Sequence, residues 1–502
     1  MEEKANRVID ALQSRGVRVT SLAVDSRQIS PGDVFIAYPG TRADGRAFIT
    51  QALERGAAAV LWEREGFEWN PAWVVPNLAL DELRALSGEI AHIAYGRPSE
   101  RLWTMAVTGT NGKTSCSQWI AQACTLCGAR TAVIGTLGMG FPPVPGADIQ
   151  QALEPLSNTT PDAVVLHRAL AALAERGAQG VTMEVSSIGL DQGRTNGVRI
   201  GAALFTNLSR DHLDYHGDME AYARAKQKLF STPGLRHAVL NLDDVQGVHI
   251  GRQLAGSGVH RIACSVFEGV ASRAGLESHV EARDLSISPR GIAFEAATSW
   301  GTGRVRSPLV GQFNAANLVG VLGMMLASGV PFEAALQSLA KLRSVTGRMQ
   351  RLGGEGKPLV VVDYAHTPDA LEQALAALKE VANFGGGHLI ALFGCGGDRD
   401  RGKRELMGAV ASRQADRIVL TSDNPRSEDP DAILDDIARG VSIEYEAIAD
   451  RAAAIAQSVA RARPEDVVLI AGKGHETYQE AAGVRMPFSD FEHARRALER
   501  RT

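Results

Sequence analysis

A glycine-rich loop between a strand-like and a helix-like segment constrains this chain more than any other sequence feature. Apolar residues 103–107 precede the loop, and helix-like residues 116–127 follow it. The loop and the residue after it are Thr108, Gly109, Thr110, Asn111, Gly112, Lys113, Thr114 and Ser115. In a strand–loop–helix unit of this kind, backbone N–H groups and the helix N-terminus face a bound phosphate. The lysine adds positive charge and the threonine offers a hydroxyl to Mg²⁺, so the sequence predicts a site for a nucleoside triphosphate.

The loop is shorter than the standard Walker loop, which has a glycine five positions before the glycine of Gly-Lys-Thr. That position is Val107 in this chain, so the pattern is Gly-x-x-Gly-Lys-Thr. A structural turn without a ligand is the alternative interpretation. The flanking strand and helix favour the phosphate site, because the motif has this function only in that context.

Length, charge and cysteine content exclude several classes of protein. At roughly 100–200 residues per domain, 502 residues correspond to about three domains. The net charge of −4 leaves no basic face suited to nucleic acid. Charged residues 1–4 precede no apolar leader, and no apolar stretch reaches membrane-spanning length, so we expect a cytoplasmic protein without membrane insertion. With 5 cysteines a disulfide framework is not expected, and Cys124 and Cys127 are expected to pack in a helix, because zinc needs four ligands.

The alternation of apolar runs and helix-like stretches predicts an α/β protein with three domains. Residues 1–101 have the pattern of a small α/β unit, with strand candidates at 34–37, 57–62 and 73–75. Residues 102–345 predict a doubly wound, largely parallel sheet, because strand-like runs alternate with helical segments such as 162–176. These runs are 105–107, 132–134, 181–184, 202–206 and 238–240. Residues 280–310 predict added antiparallel strands before a helix at 314–327, and residues 346–502 form the third domain.

Polar motifs follow four strand candidates of the third domain. The strands are predicted at 359–362, 389–393, 417–420 and 467–470, and the motifs after them at 363–366, 394–399, 423–426 and 472–476. Any one of these motifs alone can equally be an ordinary loop. Because ligands of open α/β sheets lie beyond the carboxyl ends of the strands, the four motifs together predict one crevice that all of them line.

Carboxylates and histidines of the central domain provide candidate metal ligands. Glu184 ends an apolar run, in the position from which enzymes with a phosphate loop hold Mg²⁺. Residues 211–216 then place two aspartates and two histidines within six positions. Mg²⁺ prefers oxygen and takes few protein ligands, so we expect only one or two of these to take part, with His212 a neighbour of the metal. The alternative is a polar loop whose side chains satisfy nearby backbone groups.

Taken together, these motifs resemble those of the Mur ligases, a family of ATP-dependent, amide-forming enzymes of peptidoglycan synthesis. The resemblance rests on segments spread over nearly the whole chain: residues 108–114, 158–161, 184–187, 206–208, 211–217, 314–317 and 363–368. Within the family, the chain looks most like the ligases that add 2,6-diaminopimelate. The resemblance implies that residues 1–101 bind the uridine end of the substrate and residues 102–345 bind ATP. It also implies a Rossmann-like domain at 346–502 that binds the amino acid, and we expect a monomer.

The resemblance implies a reaction in two steps. The side-chain carboxylate of D-Glu in UDP-N-acetylmuramoyl-L-alanyl-D-glutamate takes the γ-phosphoryl group of ATP, and the amine of meso-2,6-diaminopimelate then displaces phosphate. The residues implied in catalysis are Lys113, Glu184, His212 and Lys226, and those on the ATP side include Asn317, Arg348 and Asp363 besides residues 109–115. The implied Mg²⁺ ligands are Thr114, Glu184, His212 and Lys226. Such residues suit phosphoryl transfer, which depends mostly on positioning and charge neutralisation.

Lys226 matches a lysine that family members carry as an N-carbamate (N6-carboxylysine). A free lysine has a pKa of about 10.4 and is cationic near neutrality. As a CO₂-derived carbamate it would be an anionic oxygen ligand suited to Mg²⁺. Without the resemblance, this lysine would be assigned to a solvated helix face.

The resemblance also assigns residues to the two other substrates. Those for the nucleotide-sugar peptide are Val24, Ser26, Thr41, Arg42, Ala43, Asn158, Thr159, Thr160, Ser186, Gln192 and Arg194. Those for diaminopimelate are Arg399, Asp423, Asn424, Pro425, Arg426, Gly472 and Glu476. An arginine fork grips a carboxylate with two hydrogen bonds, whereas it would repel the ammonium of lysine, so Arg426 favours meso-diaminopimelate over lysine. Ile188 stands where many relatives have histidine, so that histidine is not essential here.

Two other functions are compatible with the phosphate loop. A folylpolyglutamate synthetase would share the short loop and the acyl phosphate route, but the Asp-Asn-Pro-Arg motif at 423–426 and the first hundred residues argue against it. A regulatory or motor ATPase would couple nucleotide binding to a conformational change without forming a bond. Such an ATPase would turn over ATP without an acceptor, whereas a ligase needs both a carboxylate and an amine.

Overall fold

Three sheets of four, ten and six strands follow one another along the chain, and a two-stranded hairpin lies near its end. This computed structural model describes residues 1–40, 43–143, 153–288 and 291–501. Each of the three sheets lies inside one of the ranges 1–101, 102–345 and 346–502 proposed as domains. The mixed α/β architecture expected from the sequence is confirmed.

The first sheet is parallel throughout, in the order β1-β2-β3-β4. Its strands are β1 (Leu22–Ala23), β2 (Val34–Ala37), β3 (Ala59–Glu63) and β4 (Asn77–Leu80), and its helices are α1 (Glu2–Gln13), α2 (Ile49–Glu54), α3 (Leu83–Ala94) and α4 (Pro98–Arg101). Short 3₁₀ turns occupy Ser26–Gln28 and Gly45–Phe48. Apolar residues of α1 and α3 pack with β2 and β3 into one core, so this unit has a hydrophobic interior of its own.

The prediction of a strand at 73–75 is wrong. The fourth strand begins at Asn77, which stands opposite Val60 of β3. Trp73 instead packs edge-to-face on Trp69, with ring centroids 5.0 Å apart, and stacks on Phe67 at 6.3 Å. Val74 is 97% exposed, and Trp73 is half-buried by ring contacts within a loop and not by sheet pairing, a difference that a pattern of apolar residues cannot show.

The central sheet has the order β14-β13-β12-β11-β10-β9-β5-β8-β6-β7 and is parallel from β6 to β12. Its strands are β5 (Trp103–Thr108), β6 (Thr131–Gly135), β7 (Gly138–Gly140), β8 (Gly180–Glu184), β9 (Ala202–Phe205), β10 (His237–Asn241), β11 (His260–Ser265), β12 (Ser278–Ser288), β13 (Gly291–Thr298) and β14 (Gly301–Ser307). The added antiparallel strands expected at 280–310 are β13 and β14 at one edge. The strand β11 was not anticipated.

Helices cover both faces of the central sheet. They are α5 (Lys113–Leu126), α6 (Ala163–Glu175), α7 (Ser187–Asp191), α8 (Leu213–His216), α9 (Met219–Gln227), α10 (Val245–Gln253), α11 (Gln312–Ala327) and α12 (Phe332–Leu339), with a 3₁₀ turn at Lys228–Ser231. Met105 and Val107 of β5 lie in the core with α5 and α11, whereas Ala106 lies in the opposite core with α6. Successive strand residues point to opposite faces, so this alternation confirms the doubly wound arrangement.

The third sheet has the order β15-β16-β20-β17-β18-β19, parallel except for β15. Its strands are β15 (Gln350–Gly353), β16 (Leu359–Asp363), β17 (Leu389–Phe393), β18 (Arg417–Leu420), β19 (Tyr445–Ala447) and β20 (Val467–Ala471), followed by the hairpin of β21 (Tyr478–Ala481) and β22 (Val484–Pro487). Its helices are α13 (Pro368–Gly385), α14 (Gly402–Gln414), α15 (Pro430–Ala438), α16 (Arg451–Arg461) and α17 (Asp490–Glu499). All four strands expected before polar motifs are present and neighbour one another. Across the described ranges, no helix has the length and apolar character that a membrane crossing requires.

Candidate functional site

The glycine-rich loop joins β5 to α5 and packs against the end of β9. Gly109 has φ +151°, and a Cβ there would lie 1.9 Å from Thr206 Oγ1. Gly112 has φ +85°, and a Cβ there would lie 2.5 Å from Asn317 Oδ1. Both positions therefore require glycine, for the backbone conformation and for the close approach of other residues. The loop has the shape of a phosphate cradle at the N-terminus of a 14-residue helix.

Lys113 folds back over this loop. Its Nζ donates hydrogen bonds to the carbonyl oxygens of Gly109 at 2.9 Å and Thr110 at 2.7 Å. Burial lowers the pKa of Lys113, although the Glu184 carboxylate opposes that shift. These carbonyl oxygens hold the Lys113 ammonium beside the phosphate loop. The oxygens of a bound phosphate can replace them as acceptors of its hydrogen bonds.

Glu184 ends β8 beside the phosphate loop and is 1% exposed. Its Oε2 accepts hydrogen bonds from Thr114 Oγ1 and from Thr136 Oγ1, each at 2.9 Å. Its Oε1 accepts one from Thr136 N, also at 2.9 Å. The carboxylate is therefore fixed directly beside the hydroxyl of the Gly-Lys-Thr motif, as expected for an Mg²⁺ site of this type.

Lys226 of α9 is 1% exposed and points at the same loop. Its Nζ donates to Gly109 O at 2.6 Å and lies 4.4 Å from the ring centroid of Tyr222. Burial lowers its pKa well below the usual value, and the nearby charge of Lys113 lowers it further. His212 adopts a left-handed conformation with φ 53°, and its Nε2 lies 3.5 Å from Asp211 Oδ2. The helix-face assignment for Lys226 is thus contradicted by its burial.

Residues of the third domain complete this site. Arg348 donates from NH2 to Thr114 Oγ1 at 3.3 Å, and its guanidinium lies 4.4 Å from the ring centroid of Tyr364. Asp369 at the start of α13 accepts hydrogen bonds from Asn111 Nδ2 at 2.8 Å and from Ser209 Oγ at 3.1 Å. The phosphate loop therefore contacts the third domain directly.

A cavity of about 500 Å³ lies between these elements. The predicted site residues that line it are Thr110, Asn111, Gly112, Lys113, Thr114, Ser115, Thr159, Glu184, Ser186, His212, Lys226, Asn317, Arg348 and Asp363. The residues predicted for ATP and metal are thus brought together from two domains. Two residues predicted for the nucleotide-sugar peptide, Thr159 and Ser186, line the same cavity.

Other residues predicted for the nucleotide-sugar peptide form a network beside this cavity. Thr160 Oγ1 donates to Glu184 O at 2.9 Å and accepts from Ser186 N at 3.0 Å. Arg194 donates to Thr160 O at 2.7 Å and to Gln192 Oε1 at 2.7 Å. Asn158 is exposed next to Thr159.

The residues predicted for the uridine end lie apart from that network. Val24 lines a separate cavity of about 250 Å³ between the first and central domains, together with Ser157 and Asp162. Ser26 is buried, and its Oγ donates to Gln51 Oε1 at 2.6 Å. Ala43 follows Thr41 and Arg42, which lie outside the described residues. A substrate that contacts both groups of residues would therefore extend along the interface between the first and central domains.

The four polar motifs of the third sheet meet at the carboxyl ends of their strands. The rings of Tyr364 and His475 lie 5.0 Å apart, and Arg426 NH1 donates to Gly397 O at 2.8 Å. Asn424 Nδ2 donates to Glu476 Oε2 at 2.8 Å. A Cβ on Gly472 would lie 2.5 Å from Asp423 Oδ2, so that glycine permits the close approach of two motifs.

Two arginines of this crevice are available to an anionic ligand. Within the described ranges, neither Arg399 nor Arg426 pairs with a carboxylate at salt-bridge distance. The Arg426 guanidinium donates hydrogen bonds to the carbonyl oxygens of Gly397 and Asn424. Arg426 adopts the left-handed conformation with φ 53°. Its backbone N–H donates to Glu480 O at 3.0 Å, which fixes the loop against β21. An unpaired guanidinium held in this way suits a carboxylate ligand.

The sequence analysis missed several residues of the site. Thr136, Tyr222, Lys473 and Asp369 hold predicted residues in place. The position of Thr136 directly after β6 is a signal of the kind used for the third domain, because ligands lie beyond strand ends. Lys473 and Asp369 depend on contacts between segments far apart in the chain, whereas Tyr222 lies one helical turn before Lys226 in α9.

Comparison with known proteins agrees with this geometry. Three family models match: "Mur ligase family, catalytic domain" at residues 18–95, "Mur ligase middle domain" at 107–325, and "Mur ligase, glutamate ligase domain" at 347–474. A UDP-N-acetylmuramoyl-L-alanyl-D-glutamate–2,6-diaminopimelate ligase from Chromobacterium violaceum is 50% identical over 489 residues, 97% of this chain and 96% of its own length.

Solved structures are similar over the same length. The structure of a UDP-N-acetylmuramoyl-L-alanyl-D-glutamate–2,6-diaminopimelate ligase has a TM-score of 0.67 at 38% identity, covering 96% of this chain and 94% of that one. The MurF ligase from Thermotoga maritima in complex with ADP has a TM-score of 0.63 at 18% identity, covering 96% and 99%, and shares the fold. On these matches across its length, the chain belongs to the Mur ligase family.

Proposed function

We propose that this chain is an ATP-dependent ligase that joins meso-2,6-diaminopimelate to UDP-N-acetylmuramoyl-L-alanyl-D-glutamate through an acyl phosphate. The products are the UDP-N-acetylmuramoyl tripeptide, ADP and phosphate. One observation carries the proposal: the phosphate loop and the acceptor-side residues Thr159 and Ser186 line the same cavity. Phosphoryl transfer requires the γ-phosphate and the acceptor carboxylate to be held together, and this cavity offers both sites. The names of the relatives agree with this assignment.

Mg²⁺ fits the donor set beside the phosphate loop. The Thr114 hydroxyl and the Glu184 carboxylate are 2.9 Å apart, and both offer the oxygen ligands that Mg²⁺ prefers. In the part of the chain that the structure describes, no group of three or more His, Cys, Asp or Glu side chains is arranged for a metal. This supports an ion held by few protein ligands and by ATP phosphates, with His212 and Lys226 proposed as further ligands. Mg²⁺ would neutralise charge on the transferring phosphoryl group.

The protein residues supply the remaining charge and positioning. Lys113 and Arg348 both face the cavity and offer positive charge to the ATP phosphates. Glu184 holds the Thr114 hydroxyl in place through a bond of 2.9 Å. Thr160 and Arg194 connect the acceptor side to β8, so they would help to position the acceptor carboxylate near the phosphate loop.

We propose that Lys226 carries an N-carbamate. Its burial and the neighbouring charge of Lys113 lower its pKa, which favours the neutral amine that can add CO₂. The carbamate would replace a buried cation with an anionic oxygen ligand near the Mg²⁺ site. The mass of the peptide containing Lys226, measured on native protein under CO₂, tests this proposal. An unmodified mass together with unchanged activity of Lys226→Ala would exclude it.

The amine specificity is assigned to the crevice of the third domain. Diaminopimelate carries a second carboxylate at its far end, where lysine carries none. Arg426 has no carboxylate partner among the described residues and can grip such a group with two hydrogen bonds. The resemblance to diaminopimelate-adding ligases assigns Arg399, Asn424, Glu476 and Gly472 to the same ligand.

Release of phosphate from ATP tests the proposed function directly. The assay contains UDP-N-acetylmuramoyl-L-alanyl-D-glutamate and compares meso-diaminopimelate, L-lysine and no amine. Turnover that requires both the dipeptide substrate and meso-diaminopimelate is expected. Turnover without either acceptor would support a regulatory ATPase, and comparable turnover with L-lysine at low concentration would refute the amine assignment. Replacement of the nucleotide-sugar peptide by a folate substrate tests the folylpolyglutamate alternative.

We also propose that the enzyme acts in the cytoplasm as a monomer. ATP and the nucleotide-sugar substrate are cytoplasmic metabolites. The net charge of −4 gives no reason to expect a nucleic-acid partner. Light scattering at assay concentration tests the monomer.

A further inference from the structure

Lys473 lies in the crevice of the third domain between two residues assigned to the amino acid. It follows Gly472 after β20, and its side chain is 0% exposed. We propose that Lys473 is a positioning residue for diaminopimelate, because it fixes the orientation of Asn424 and Glu476. This inference rests on the proposed function and extends it to a residue with no role assigned so far.

Three side chains form a closed hydrogen-bonded network. Lys473 Nζ donates to Asn424 Oδ1 at 2.9 Å and to Glu476 Oε2 at 2.8 Å. Asn424 Nδ2 donates to the same Glu476 oxygen at 2.8 Å. Lys473 Nζ also lies 5.5 Å from the ring centroid of Tyr478 in β21. The ammonium is thus held at the centre of the crevice and is not directed to solvent.

The network decides which atoms of Asn424 are available to a ligand. The amide oxygen accepts from Lys473 Nζ and also from Glu480 N at 2.9 Å, which uses both of its lone pairs. The oxygen and nitrogen of the amide therefore cannot exchange places without breaking three hydrogen bonds, two at the oxygen and one at the nitrogen. One N–H of the Asn424 amide donates to Glu476, and the other donates to no described residue and can donate to a ligand.

The network also orients Glu476. Its Oε2 accepts from both Lys473 and Asn424, whereas its Oε1 accepts no hydrogen bond from a described residue. The crevice thus presents an acceptor at Glu476 Oε1, a donor at Asn424 and the guanidinium of Arg426. An ammonium and a carboxylate on one carbon match this pattern, and a free amino-acid group provides both.

Loss of Lys473 would weaken the positioning of both neighbours at once. Asn424 would be held only by Glu480 N and Glu476 Oε2, without its bond of 2.9 Å to the ammonium. Glu476 would lose its cationic partner while remaining only partly exposed. A displacement of about 1 Å at a binding group can cost about 100-fold in rate. We therefore expect the KM for diaminopimelate to rise.

The experiment compares wild type with Lys473→Met, which keeps the apolar stem and removes the ammonium. We expect the KM for meso-diaminopimelate to rise about 10-fold or more, while the KM values for ATP and the nucleotide-sugar peptide stay within about 2-fold, because the network touches only the amino-acid crevice. Lys357→Met is the matched control, because Lys357 Nζ donates to Leu498 O at 2.9 Å in the same domain but outside the crevice. Its KM for diaminopimelate should equal that of wild type.

A double-mutant cycle shows whether Lys473 acts through Asn424. The KM effects of Lys473→Met and Asn424→Ala should combine to less than their product, because both remove the same network. An unchanged KM for diaminopimelate, or an equal rise in all three KM values, overturns the proposal. If Lys473→Met does not fold, Lys473→Gln tests the proposal in its place. Because glutamine retains a hydrogen-bond donor group, we expect a smaller rise in the KM for diaminopimelate, again without a rise in the other two KM values. If the wild-type protein released phosphate from ATP without diaminopimelate, that result would overturn the proposed function and not the role of Lys473.

Discussion

Substitution of Gly135 by alanine should disable the enzyme by moving one buried carboxylate. Gly135 is the last residue of β6, and a Cβ there would lie 2.2 Å from Glu184 Oε1 and 2.7 Å from Glu184 Cδ and Cγ. Since several atoms of the same side chain are too close, rotation of the carboxylate alone cannot relieve the contact. The whole Glu184 side chain must move away from β6.

The size of this movement follows from the contact distances. An ordinary carbon contact begins near 3.4 Å, so Glu184 Oε1 must shift by about 1.2 Å. Such a shift breaks or weakens the bonds of 2.9 Å to Thr136 and Thr114 that fix the carboxylate. A misplacement of about 1 Å at a reacting site costs about 100-fold in rate, whereas overpacking costs about 1–3 kcal/mol of stability. We therefore expect kcat/KM to fall about 100-fold in a protein that still folds.

Phosphate release with all three substrates at pH 7.5 measures this effect, and thermal unfolding measures the stability of the same samples. Gly251→Ala in α10 is the matched control, because its Cβ would meet Leu240 Cδ1 at an ordinary 3.4 Å. The control should retain wild-type activity. If Gly135→Ala keeps its kcat/KM within about 3-fold of wild type, the position of Glu184 is not required and the role assigned to it here is wrong.

Three further outcomes are expected. Arg426→Lys should raise the KM for diaminopimelate about 10-fold without changing the KM for ATP, because an ammonium cannot replace the two parallel hydrogen bonds of the guanidinium. An unchanged KM for diaminopimelate in phosphate-release assays would contradict this. Burial lowers the pKa of His167 to about 3, so the unfolded chain binds its proton below about pH 6.5 and the folded chain does not. Stability should therefore fall by about 1.4 kcal/mol per pH unit on acidification below pH 6.5, and His167→Gln should flatten this slope in thermal unfolding between pH 7 and pH 5. Asp490→Ala leaves the fully buried guanidinium of Arg451 without its partner at 2.7 Å and should cost about 3–5 kcal/mol, measured by denaturant unfolding; a loss below about 1 kcal/mol would refute that argument.

The parts of the site that follow strands were predictable from the sequence. Glu184 and the four motifs of the third domain occupy strand ends, and parallel strands bring their carboxyl ends to one edge of a sheet. The phosphate loop was predictable because its glycines are required by backbone geometry, as the close approaches of Thr206 and Asn317 show.

Contacts between distant segments were not predictable in this way. Lys226 has the local pattern of a solvated helix face, yet it is buried against Gly109, 117 positions away. Lys473 and Asn424 meet across 49 positions, and Asp369 reaches Asn111 across 258. No local periodicity encodes such pairs, and only the family resemblance singled out Lys226. The prediction of a strand at 73–75 failed for a related reason, since the half-buried Trp73 makes ring contacts that apolar patterning does not specify.

The direct contacts between the phosphate loop and the third domain are few. Asp369 bonds to Asn111 and Ser209, and Arg348 bonds to Thr114. The residues assigned to diaminopimelate all belong to the third domain, whereas Lys113, Glu184 and Lys226 all belong to the central one. Under these proposed assignments, we expect a change of amine preference to involve residues of the third domain and to leave Lys113, Glu184 and Lys226 unchanged. A third domain exchanged between ligases of this family would have to keep those bonds, and also the packing of Val310, which is buried with residues of the third sheet.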